Sequence, residues 1–156
     1  MNEDIKVVDN LIPPAYQDEL DMLMSSELFE WGYSQEVAYQ HNQDRLKQLN
    51  DGFSHLIHVP KYEGKHWSFI KPMTYYIEDK FGVKMNNLFR VRVGLLQRAY
   101  PDDLPWNNEH VDSASPHYTA VYYVNDTDGP TYIFNQKITD VPHKNKTENQ
   151  ILNYVS

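Results

Sequence analysis

The sequence predicts a mixed α+β fold, and three observations support this class. Two segments, Ala15–Leu28 and Trp67–Phe81, carry apolar residues at the spacing of amphipathic helices. From Asn87 onward the apolar residues begin to alternate, as they do in β-strands. Twelve tyrosines and three tryptophans favour sheet faces and a lined cavity over a leucine-rich bundle. We therefore expect one domain over residues 1–156, with a helical N-terminal part (1–84) packed on the first strands of a sheet (85–156).

Composition and charge narrow the class of protein. Forty per cent hydrophobic residues exclude global disorder. A net charge of −8, with the basic residues scattered along the chain, argues against nucleic acid as a partner. The absence of cysteine excludes disulfides and thiol nucleophiles and fits a reducing compartment. Since the sequence has neither a basic apolar leader nor a run of 18 apolar residues, we expect a cytoplasmic protein without a membrane segment.

Short local signals define the elements of the first half. Ile5–Asp9 reads as a short β-run, and Pro13-Pro14 is well placed to open the helix Ala15–Leu28. Phe29–Tyr33 reads as a strand or a turn. The second helix needs Pro72 in its first turn or as its start, and Gly82 is expected to end it.

Two features of the middle region have both an ordinary and a functional reading. His55 and His58 lie on a short apparent strand, where residues i and i+3 face opposite sides, so we expect ordinary histidines and no shared ion. In the run Phe89–Val93, Arg92 lies on the face opposite the apolar residues. It is either an arginine exposed or paired across strands, or a cation directed into a cavity that holds a carboxylate.

The stretch Trp106–Gln136 contains the main chemical signal. His110 and Asp112 are separated by one residue, so an extended backbone directs both side chains to one face. An imidazole and a carboxylate are two of the three ligands of the facial triad that binds non-haem Fe(II). Two β-type runs follow, Tyr118–Asn125 and Thr131–Asn135, joined by the turn Asp126–Pro130.

The order HVD, HYTAVYYVND and DGPTYIF resembles the Fe(II)/2-oxoglutarate-dependent oxygenases of the prolyl-4-hydroxylase-like kind, over Arg90–Gln136. The resemblance implies a double-stranded β-helix, or jelly roll, with His110 and Asp112 as metal ligands. It further implies Fe(II) as cofactor and 2-oxoglutarate as cosubstrate, with cosubstrate-binding positions at Arg92, Tyr100 and Tyr122. Oxidation of 2-oxoglutarate to succinate and CO2 would accompany hydroxylation of a small-molecule or peptide substrate.

The resemblance also implies a late strand with a third ligand, a histidine, and a basic residue beyond it. No stretch here matches, and neither His117 nor His143 is favoured as that ligand. About five of the eight core strands can be counted, so we expect the part with the distal His and Arg to be missing. We accordingly expect weak Fe(II) binding and little turnover. The exposed strand edge, in Tyr118–Asn135 or Ile151–Val155, would favour self-association.

Two other classes of protein fit the same residues. In a non-catalytic jelly-roll binding or assembly module, His110 and Asp112 would pair with each other or with solvent. In a cupin-like metal isomerase or dioxygenase, His110, His117 and Glu109 would have to serve as ligands. For the oxygenase, the polar segment Gln35–Gly52 is the expected substrate-covering loop.

Overall fold

A computed structural model of the chain describes residues 5–34, 51–96, 112–113, 115–127 and 129–133. Its helices are α1 (Pro14–Ser25), α2 (Trp67–Ile70) and α3 (Pro72–Phe81), and its strands are β1 (Gly32–Ser34), β2 (Gly52–Val59), β3 (Tyr62–Glu63) and β4 (Val91–Leu96). The strands form a small antiparallel sheet, so the predicted α+β class is confirmed. The jelly roll stays a prediction.

Strand β2 is the organising strand of the sheet, because β1, β3 and β4 each pair with it. β2 and β3 form an antiparallel hairpin in which His58 is opposite Glu63 and Val59 is opposite Tyr62. Only Pro60 and Lys61 connect the two strands. Lys61 has a φ of 74°, so this lysine adopts a left-handed conformation to close the turn.

Replacing Lys61 with glycine is expected to stabilise the hairpin. The left-handed conformation costs a residue with a Cβ about 1–2 kcal/mol, whereas glycine adopts it without that penalty. After subtraction of the extra backbone entropy that glycine loses on folding, Lys61→Gly should raise the free energy of unfolding by about 0.5–1 kcal/mol. Urea denaturation measures this change. Lys61→Ala is the control, because it removes the charge but keeps the Cβ; equal stability of the two variants would contradict the prediction.

The chain forms two compact units, Met1–Gly32 with Ser54–Gly94 and Tyr33–Phe53 with Leu95–Ser156. The boundary that the sequence suggests between residues 84 and 85 lies inside the first unit. The buried apolar side chains of the described residues all belong to this first unit and come from α1, α2, β2 and the segments beside them: Ile12, Leu20, Phe29, Ile57, Trp67 and Ile70.

Helix α1 begins at Pro14, as the Pro13-Pro14 signal predicts. Its Tyr16 hydroxyl donates a hydrogen bond to the Phe69 carbonyl oxygen at 2.5 Å, and the two rings meet edge to face with centroids 5.3 Å apart. These contacts join α1 to α2. The helix ends at Ser25, three residues before the predicted end, because Ser26 is extended and its hydroxyl accepts a hydrogen bond from the Leu28 N–H.

The predicted helix Trp67–Phe81 is divided in two, α2 and α3, and the second part begins at Pro72. Proline has no N–H to donate, and its ring collides with the preceding turn, so the helix restarts there. α3 ends at Gly82, whose φ of 65° forms a left-handed C-cap. Both the proline start and the glycine end follow the sequence prediction.

Two predicted strands are wrong. Ile5–Asp9 has no strand, and the described residues 115–127 likewise contain none, so the predicted strand Tyr118–Asn125 is not formed. A β-type sequence becomes a strand only where a neighbouring strand pairs with it. Of Thr131–Asn135 the described residues 131–133 are not a strand either. The predicted substrate-covering loop Gln35–Gly52, apart from its last two residues, and the predicted strand Ile151–Val155 lie outside the described residues.

Glu78 of α3 holds the segment that follows the helix. Its carboxylate accepts hydrogen bonds from the Met85 N–H at 2.6 Å and from the Lys84 ammonium at 3.1 Å. The Met85 hydrogen bond first, and Lys84 second, lower the pKa of Glu78 from its ordinary value of 4.5. A charged Glu78 is therefore the form that the folded chain favours.

Glu78 should make stability depend on pH in acid. Because its pKa is lower in the folded than in the unfolded chain, its contribution is complete above 4.5 and is lost as the pH falls through the folded pKa. We expect Glu78→Gln to flatten the decline of the free energy of unfolding below pH 4.5, measured by urea denaturation at several pH values. Asp79→Asn controls for the loss of one neighbouring negative charge, and identical pH profiles for Glu78→Gln and the unchanged chain would contradict the assignment.

Candidate functional site

Asp112 is the predicted metal ligand that the structure describes. Its side chain is half-buried, and the Thr119 hydroxyl donates a long hydrogen bond of 3.4 Å to its Oδ2. Both residues belong to the second unit. A hydroxyl that donates a hydrogen bond to a carboxylate oxygen restricts the rotation of the carboxyl group. Residues around a metal site orient its ligands in this way. Thr119 belongs to the run HYTAVYYVND, and its contact with Asp112 could not be predicted from the spacing of the two residues.

The described donor atoms fit an iron site only in part. Asp112 supplies the carboxylate that a facial triad requires, whereas His110 and Tyr100 lie outside the described residues. Within the described part of the chain, no group of three or more His, Cys, Asp or Glu side chains is placed to share a metal ion. The described residue His117 is exposed, and its Nδ1 lies 2.7 Å from the Ser115 carbonyl oxygen, to which it donates.

Tyr122, a predicted cosubstrate residue, is half-buried in the second unit. Burial raises the pKa of its hydroxyl above the ordinary value of 10.0, so the group is protonated at neutral pH and is available as a donor. Tyr118 on the same run is 94% exposed. Tyr118 is therefore not packed against a second layer of the described residues.

The turn after this run brings Tyr123 next to Thr131, and their hydroxyls are hydrogen-bonded. Inside the turn the Gly129 N–H donates to the Thr127 hydroxyl at 3.0 Å. A side-chain oxygen that accepts from the backbone two residues on is the usual Ser/Thr turn device. The predicted turn Asp126–Pro130 stays a prediction, because Asp128 lies outside the described residues and the described residues around it are not paired as strands.

Arg92, the other predicted cosubstrate residue within the described part of the chain, lies on β4 and is exposed, while Val91 and Val93 are half-buried. The predicted alternation is confirmed for Val91, Arg92 and Val93, whereas Phe89 precedes the strand and is 56% exposed. Arg92 belongs to the first unit, whereas Asp112 and Tyr122 belong to the second. Its proposed role toward a carboxylate stays a prediction.

The first unit contains a histidine cluster that the sequence did not predict. The imidazole rings of His55 and His66 have centroids 5.5 Å apart, and Phe29 lies stacked on His66 at 5.2 Å and 4.9 Å from His55. His55 Nδ1 is 2.6 Å from the Glu30 carbonyl oxygen. His58 contacts a different partner, Trp67, at 4.5 Å. His55 and His58 therefore have different ring partners.

Burial and charge keep His66 neutral. The pKa of His66 is lowered first by burial and then by Lys65 and His55, whereas Glu30 opposes the change. Its Nε2 atom is buried without a hydrogen-bond partner. Buried ring nitrogens are usually satisfied, so an unsatisfied one in a cluster of aromatic rings needs a physical explanation.

A cleft open to solvent runs along α3 and has a volume of about 800 Å³. Tyr75, Tyr76 and the residues after the helix line it. Arg92, Asp112 and Tyr122 are not among its lining residues, so this cleft is not the predicted cofactor site.

Among the described residues, no helix has both the length and the apolar character needed to cross a membrane. Comparison of the chain with protein-family models, with curated proteins and with solved structures found no match.

Proposed function

We propose that the chain belongs to an Fe(II)- and 2-oxoglutarate-dependent hydroxylase with a double-stranded β-helix. One observation carries this proposal: the ordered series in Trp106–Gln136, where His110 and Asp112 of HVD precede the runs HYTAVYYVND and DGPTYIF. The Thr119–Asp112 hydrogen bond gives it physical support, because it couples the second motif to the first.

Each assigned residue has a role that follows from its chemistry. His110 and Asp112 would hold the ion through a neutral imidazole nitrogen and a carboxylate oxygen. Thr119 would orient the Asp112 carboxylate. Tyr122, whose pKa burial raises, would donate a hydrogen bond to a cosubstrate carboxylate, as would Tyr100. The bound iron would supply the activation of dioxygen.

The proposed hydroxylation uses both oxygen atoms of O2. One oxygen atom of O2 enters succinate as 2-oxoglutarate loses CO2, and the other converts a substrate C–H into C–OH. We propose a peptide or a small molecule as that substrate, because the net charge of −8 opposes a polyanionic one. A cytoplasmic location belongs to the same proposal.

An anaerobic titration separates this function from the alternatives. Fe(II) added to the chain with 2-oxoglutarate should produce the visible metal-to-ligand charge-transfer band of a chelated cosubstrate. We expect weak binding, saturating only at high Fe(II), because two assigned ligands hold the ion less tightly than three. His110→Ala should abolish the band, and His117→Ala, a neighbouring histidine, should leave it. A binding or assembly module without a metal would give no band at any Fe(II) concentration.

A further inference from the structure

We propose that His55 and His66 form a second metal site, which binds one divalent transition-metal ion through the two imidazoles. The site uses neither His110 nor Asp112, and it stands independently of the proposed hydroxylase activity. Its two ligands come from different elements, since His55 lies on β2 and His66 directly precedes α2.

The hydrogen bond of His55 fixes which nitrogen is available. A carbonyl oxygen can only accept, so the 2.6 Å contact with the Glu30 carbonyl oxygen places the proton of His55 on Nδ1. The lone pair is then on Nε2. Metal-binding histidines commonly donate their other ring N–H to a backbone carbonyl or a carboxylate in this way, which holds the tautomer and the ring orientation.

His66 supplies the second nitrogen. Its Nε2 is buried and has no hydrogen-bond partner, although its ring is held by stacking on Phe29. A coordinated ion would satisfy this nitrogen as a hydrogen-bond partner would. The neighbouring charges are the Glu30 carboxylate and the Lys65 ammonium, which lie 4.0 Å apart, so the surroundings are close to neutral overall.

The spacing of the two rings suits a shared ion. An imidazole nitrogen lies about 1.1 Å from its ring centre and about 2.0–2.1 Å from a bound metal, so two imidazoles on one ion have centres about 4.5–6.4 Å apart for angles between about 90° and 180°. The centroids of His55 and His66 are 5.5 Å apart, near the middle of that range. Two imidazole ligands favour Cu²⁺, Ni²⁺ and Zn²⁺ over the hard cations Mg²⁺ and Ca²⁺. Water would complete the coordination.

Isothermal titration of the metal-free chain with Cu²⁺, Ni²⁺ or Zn²⁺ alone tests the site. We expect one ion per chain at this site, with Cu²⁺ bound more tightly than Ni²⁺ or Zn²⁺, and no comparable binding of Mg²⁺. His55→Ala and His66→Phe should each weaken binding at least about tenfold. Phenylalanine at position 66 keeps a ring to stack on Phe29, and thermal unfolding of each variant confirms that it folds.

Two controls make the outcome decisive. His58→Ala removes a histidine from the same strand whose ring stacks on Trp67, and it should leave the affinity unchanged. His110→Ala should leave this site intact while it removes the iron-dependent absorption band, so the two proposals succeed or fail separately. Retention of wild-type affinity in His55→Ala or His66→Phe, or an equal loss in His58→Ala, would overturn the proposal.

Discussion

Replacing Asp112 with alanine is expected to remove the absorption band that Fe(II) and 2-oxoglutarate would produce together. A facial triad holds its ion with one carboxylate, and a carboxylate oxygen suits Fe(II) better than water does because it also neutralises charge. Loss of that ligand leaves His110 as the one assigned ligand. The predicted effect is therefore complete disappearance of the band at Fe(II) concentrations that saturate the unchanged chain.

Matched variants separate coordination from general damage. Asp126→Ala removes an exposed aspartate from the same unit and should keep the band. Thr119→Val removes the hydroxyl that contacts Asp112 and should weaken Fe(II) binding by about tenfold without abolishing it, as expected for a residue that orients a ligand. If Asp112→Ala retained the band as fully as Asp126→Ala does, Asp112 would not be a ligand.

The parts of the fold that the sequence predicts well depend on local stereochemistry. Pro14 opens α1, Pro72 opens α3 and Gly82 ends it, and each follows from the backbone dihedrals that these residues adopt. The alternation of apolar and polar residues at the start of β4 could also be predicted from the sequence, because one face of the strand is partly covered. These rules need only the neighbouring residues in the chain.

The parts that the sequence does not predict depend on partners distant in the chain. Ile5–Asp9 and Tyr118–Asn125 both have strand-like composition, yet the described residues in them lack the pairing that makes a strand. The hairpin turn Pro60-Lys61 carries no glycine or asparagine, so it gave no signal for a left-handed residue. His55 and His66 meet only because the β2–β3 hairpin and the start of α2 bring them together.

The candidate iron site likewise has one part that the sequence predicts and one part that it does not. The pair His110 and Asp112 could be identified from spacing, since residues i and i+2 of an extended chain share a face. The Thr119 hydroxyl that contacts Asp112 could not, because it depends on how the chain turns between the two residues. A sequence motif can therefore identify candidate metal ligands, whereas the residues that orient those ligands can be identified only from the structure.

Leu20→Ala should produce a large loss of stability in the first unit. Leu20 is fully buried at 0% exposure. Truncating a buried leucine to alanine loses the transfer free energy of the removed atoms and also leaves a cavity. The expected decrease in the free energy of unfolding is about 2–5 kcal/mol, measured by urea denaturation. For a domain of this size, that is a large fraction of the total stability.

Met22 on the same helix provides the control, because its side chain is 69% exposed. Met22→Ala should change the free energy of unfolding by no more than about 0.5 kcal/mol. Both residues are apolar members of the predicted helix Ala15–Leu28, and helical spacing alone does not show which of them is buried. The two variants therefore test which residue belongs to the core. Similar losses for the two would mean that α1 buries a different face. A large loss for Leu20→Ala alone would fix the orientation of α1 and with it the position of Tyr16, whose hydroxyl joins this helix to α2.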